Sequence, residues 1–106
     1  MSYFKNSSFI TETQNISKNY FICRNSFNLS SFSSGYSDLM SPLYIFYRDV
    51  EIALSLLEKE EKFIIQNEFF SNCNPLWWKP YFKKRTYLKK RDEATEKFVR
   101  LFHEIH

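Results

Sequence analysis

From position 42 onward, the apolar residues of this chain recur at helical spacing. Leu43, Phe46, Tyr47, Val50, Ala53, Leu54 and Leu57 follow the i, i+3, i+4, i+7 rule, which predicts an amphipathic helix over about 42–57. Ser41 can cap it, and Pro42 fits the first turn, where a missing N–H costs nothing. Glu58-Lys59-Glu60-Glu61-Lys62 opens a second helix over 58–70. Its early acids suit a helix N-terminus, and Phe63, Ile64, Ile65, Phe69 and Phe70 supply the apolar face. With no Gly or Pro between them, the pattern leaves open whether these two helices are continuous. Pro75 starts a third, short helix expected over 75–82, which Pro80 must keep brief or kinked. The fourth is expected over 85–105. Tyr87, Ala94, Phe98, Leu101 and Ile105 form one face of it, widened by Leu88, Val99 and Phe102.

Residues 1–40 read differently. They hold 10 Ser and 5 Asn with only five charged residues, and their Phe and Tyr show no helical spacing. The expectation is an extended or partly ordered arm, containing at most a short strand or helix, in front of a helical domain at 41–106. The fold class is therefore mainly α: a small helical bundle with a C-terminal helix-turn-helix, preceded by an irregular arm.

Composition changes this picture in two ways. Aromatic residues are 20% of the 106-residue chain, so a few dozen ordered residues can bury a usable core. The net charge is +3, unevenly spread. Residues 75–106 carry 9 Lys/Arg against 4 Asp/Glu, and residues 1–74 carry 6 against 8. A basic module behind a mildly acidic one suits contact with a polyanion.

Other chemistry is sparse. Gly35 is the only glycine, which argues against a phosphate-cradling Gly loop, and no nucleophile motif or paired acidic site stands out. An enzyme is not expected, nor a cofactor or a metal. His103 and His106 lie three apart on a helix with only Glu104 nearby, and read as a solvated helix end rather than a metal site. Cys23 and Cys73 form no disulfide framework. No apolar run approaches the roughly 18–20 residues that span a bilayer. The expectation is a cytoplasmic protein with reduced thiols and no membrane partner.

The segment Leu57-Glu-Lys-Glu-Glu-Lys-Phe-Ile-Ile-Gln-Asn-Glu-Phe-Phe70 resembles the first helix of the region-four helix-turn-helix of bacterial sigma factors. ArpU-type phage transcriptional regulators carry a similar helix. Arg85-Thr-Tyr-Leu-Lys-Lys-Arg-Asp-Glu-Ala94 looks like the recognition helix of that group. The resemblance covers about residues 50–106. It departs from the group's pattern at Trp77-Trp78-Lys79-Pro80 in the second helix, at a turn with Lys83-Lys84 in place of Gly, and at Lys90, where an apolar residue is usual. It implies a transcription-associated protein that binds double-stranded DNA. The 75–82 helix would cross the backbone, and the last helix would enter the major groove by its N-terminal end. Lys83, Lys84 and Lys89 would meet phosphates, while Arg85, Thr86 and Lys90 would reach base edges. One of Trp77 and Trp78 would pack between helices and the other lie against the backbone. The alternative is a non-enzymatic module that docks on RNA polymerase or another protein. A homodimer would follow if the apolar stripe of the 42–57 helix exceeds what one small core can hide.

Overall fold

The computed structural model describes residues 2–30, 42–71 and 74–106, and among these every regular element is a helix. They are α1 (Ser2–Ser30), α2 (Pro42–Ser55), α3 (Lys59–Phe69) and α4 (Lys84–Ile105), which make a small helical bundle. The Ser41 cap, Cys73 and the part of the expected arm at 31–40 lie outside the described residues.

Two expectations are corrected. The first is the extended arm, since Ser2–Ser30 is a single 29-residue helix packed against α4 and α2. Its inward face is Phe9, Thr13, Ile16, Tyr20 and Cys23, spaced 4, 3, 4 and 3. The stripe is hard to see in the sequence because two of the buried residues, Thr13 and Ser17, are polar. Both are satisfied: the Thr13 hydroxyl donates to the Phe9 carbonyl at 2.8 Å, and the Ser17 hydroxyl donates to the carbonyl of Phe69 on α3. A buried hydroxyl with an acceptor costs little, so a polar letter can occupy a core position.

The second correction concerns 75–82, which forms consecutive hydrogen-bonded turns and no α-helix. Pro80 brings no N–H, and the Trp78 carbonyl instead accepts from Tyr81 at 2.9 Å and Phe82 at 3.0 Å. No helix therefore lies between Phe69 and Lys84 among the described residues.

α2 and α3 are separate helices. The Ser55 hydroxyl bonds back to the Ile52 carbonyl at 2.7 Å, and the Glu58 N–H donates to the Glu61 side chain at 2.9 Å, which starts α3 afresh. Buried Leu57 fills the corner between them.

The main core joins all four helices: Ile16 and Tyr20 of α1, Val50, Ala53 and Leu54 of α2, Ile65 and Phe69 of α3, and Ala94, Phe98, Val99 and Phe102 of α4. Phe70 closes it with edge-on contacts to Tyr20 at 5.3 Å and Phe98 at 5.9 Å. At the far end of α4, His103 bonds Glu12 of α1, and His106 Nδ1 lies 2.9 Å from the carboxylate of Asp49 on α2. The two histidines thus serve two different helices and do not converge on one point. Asp49 is 2% exposed and also faces Arg48 at 3.3 Å, so its buried charge has two partners. Cys23 is a free, buried thiol, and burial pushes its pKa up, away from reactivity.

Candidate nucleic-acid interface

A second, smaller core fixes the start of α4. Ile64 of α3, Trp78 of the turn segment and Tyr87 of α4 are buried together, with Trp77, Phe82 and Leu88 against them. Trp78 stacks on Tyr87 with ring centres 5.0 Å apart and planes 7° from parallel. Trp77 meets Tyr87 edge-on at 5.5 Å and Phe63 at 5.4 Å. The two adjacent indoles divide the work: Trp78 is buried between elements, and Trp77 is half-buried above them.

The polar centre of this cluster is Glu68 on α3. One of its carboxylate oxygens accepts from Trp77 Nε1 at 2.9 Å and from the Tyr87 hydroxyl. Tyr87 is 1% exposed, so that hydroxyl needs its acceptor. Burial, and then the bond to Glu68, push the Tyr87 pKa well above the ordinary value of 10.0. Three elements therefore meet at one carboxylate, which ties the turn segment down where it delivers the chain into α4. Sequence reasoning missed Glu68. Its one signal was an acid at a position flanked by the apolar residues Ile64, Ile65, Phe69 and Phe70.

From this base the six basic and polar residues expected to contact DNA project as follows. Lys83 is the N-cap of α4, with extended backbone at φ −75°, ψ 150°, and makes no side-chain capping bond. Lys83, Lys84, Arg85, Thr86 and Lys89 are all exposed. Lys90 is different: its ammonium lies 2.7 Å from Glu60 of α3. That hydrogen bond is the main reason its pKa is raised. Two turns further on, Lys97 is paired in the same way, 3.0 Å from Glu61 and 4.0 Å from Glu58. The acidic start of α3 thus neutralises the middle of α4 and leaves its first two turns positive. Among the described residues, none of Lys83, Lys84, Arg85 and Lys89 enters an ion pair.

That placement is unfavourable for the helix alone. The first turn of α4 contains no acid, and three cations sit where the helix dipole is already positive. An anion placed there would relieve the repulsion, since the free N–H groups and the positive end of the dipole also favour negative charge. Next to it the turn segment exposes Lys79, Pro80 and Tyr81.

Comparison of the chain with protein-family models, curated proteins and solved structures finds no match. No helix among the described residues is long and apolar enough to cross a membrane.

Proposed function

We propose that the protein binds double-stranded DNA through the N-terminal turns of α4 and acts in transcription. The observation that carries this reading is the division of charge along α4. Lys90 and Lys97 are satisfied by acids at the start of α3, while Lys83, Lys84, Arg85 and Lys89 are presented to solvent beside a buried aromatic cluster. A 22-residue helix is about 33 Å long, and B-DNA's major groove, about 12 Å wide, admits one. With α4 entering by its N-terminal end, Lys83, Lys84 and Lys89 meet phosphates, and Arg85 and Thr86 lie nearest the base edges. Lys90, held by Glu60, takes the lesser part.

The test is fluorescence anisotropy with a labelled duplex pool at low and physiological salt, comparing the wild type with the double variant Arg85→Ala/Lys89→Ala. Three cations on phosphates give log K against log salt a slope of roughly −3. The reading requires micromolar or tighter binding with such a slope and its loss in the double variant. Absence of binding at low salt would sink it and favour the second reading, a protein-docking module. That reading draws on the exposed apolar residues Leu76 and Tyr81 beside the basic turn. RNA polymerase is the first partner to test.

A further inference from the structure

Tyr81 is 63% exposed, yet its ring is held. It meets Phe63 edge-to-face at 5.2 Å and 83°, lies 6.4 Å from Trp77 at 48°, and its N–H donates to the Trp78 carbonyl at 2.9 Å. An ordered aromatic ring thus stands in solvent beside the cationic start of α4. Exposed lysines flank it on both sides, Lys79 two residues before and Lys83 and Lys84 two and three after. With about 3.8 Å between successive Cα atoms, Tyr81 and Lys83 lie within about 8 Å of each other along the backbone.

Two chemistries could cover such a ring. The buried centre of a protein interface is depleted of lysine, whereas this ring has lysine on either side. An aromatic ring with flanking cations is instead the usual equipment for nucleic acid, where a base stacks on the ring and phosphates lie on the cations. Paired bases within a duplex offer edges in the grooves but no free face. A base that stacks on Tyr81 must therefore be unpaired.

We propose that the interface recognises the junction between duplex and single-stranded DNA, with the start of α4 on the duplex and Tyr81 stacked on the first unpaired base. The inference rests on the DNA-binding reading above and adds to it the class of DNA. It also gives the exposed ring a role that duplex binding leaves unused.

Anisotropy with three labelled probes of one sequence tests it: a duplex, the same duplex with a five-nucleotide bubble, and the single strand. At fixed salt the bubble probe should bind about five-fold or more tightly than the duplex, the scale of one stacked base. Tyr81→Leu and Tyr81→Gln should remove that difference and leave duplex affinity unchanged, while Tyr81→Trp should keep it. Independently of any variant, 5-iodouracil at the first unpaired position should cross-link to Tyr81 on irradiation. Equal affinity for duplex and bubble, a preference that survives both ring-removing variants, or cross-linking only elsewhere would overturn the inference. In each of those cases duplex binding itself would stand. Failure to bind any probe at low salt would remove both readings and turn the search to a protein partner.

Discussion

Ser17 on α1 donates its hydroxyl to the main-chain carbonyl of Phe69, the last residue of α3, fifty-two positions later in the chain. The last carbonyls of a helix have no partner within it, so one helix completes the end of another across the core. Ser17→Ala removes that donor and leaves a buried carbonyl short of a partner, at an expected cost of about 1–3 kcal/mol. Thr13→Val makes the contrast, because the Phe9 carbonyl that Thr13 serves lies within α1 itself. It should be close to neutral. Urea denaturation of the two variants measures both, and equal losses would contradict the difference in role.

Glu68 holds Trp77 and Tyr87 with a single oxygen, so its removal should loosen the mount of α4 more than the bundle core. Glu68→Ala leaves the buried Tyr87 hydroxyl without an acceptor and should destabilise by about 1–3 kcal/mol. Glu68→Gln keeps a carbonyl oxygen that can accept from both donors and should lose less. Tryptophan emission should shift to longer wavelength in the alanine variant as the indoles gain water. An unchanged spectrum would mean that the stacking of Trp78 on Tyr87 suffices without the carboxylate.

The unequal partners of Lys89 and Lys90 predict unequal variants. Lys89→Ala should weaken duplex binding and make the salt slope shallower by about one unit, whereas Lys90→Ala should do much less, because Glu60 already holds that ammonium. Glu60→Ala frees Lys90 and should strengthen binding. Binding isotherms at three salt concentrations for the three variants decide the matter. Equal losses for the two lysine variants would show that the Lys90–Glu60 pair opens when DNA binds.

Tyr20 and Tyr87 should make the fold sensitive to alkali. Both are held as phenols by burial and by a hydrogen bond to a carboxylate, Glu51 for Tyr20 and Glu68 for Tyr87. Their folded-state pKa values lie above the ordinary 10.0. Above pH 10 the unfolded chain therefore releases protons that the folded chain retains. Stability is fully present below pH 10 and falls as the pH rises further. Ultraviolet titration of phenolate should show Tyr20 and Tyr87 ionising late, together with unfolding. Tyr87→Phe should lessen the loss of stability between pH 10 and 11, and a loss identical to the wild type's would rule out Tyr87 as a source.

The histidines at the end of α4 show how far sequence reading carries for polar groups. Two His three apart on a terminal turn look like a solvated pair. Nothing local announces that Glu12 lies opposite one and the buried Asp49 opposite the other. Glu68 was hidden for the same reason, since its partners come from nine and nineteen residues away. Lys90 was legible as basic but not as already paired, because Glu60 lies thirty residues back on another helix.

What the sequence determined by itself was the helical character of α2, α3 and α4 and the faces they bury. Apolar periodicity is a local property, and in these helices few polar residues interrupt it. It also determined where positive charge gathers, at Lys83–Lys89. Tertiary structure alone decided that residues 2–30 are a core helix, since Thr13 and Ser17 can be buried only because carbonyls wait for their hydroxyls. It likewise decided that 75–82 folds into turns, with Pro80 bringing no N–H and Trp78 stacked on Tyr87. Finally, it decided which cations of α4 remain available. Charge is written in the sequence, but neutralisation depends on distance, and the fold sets the distances.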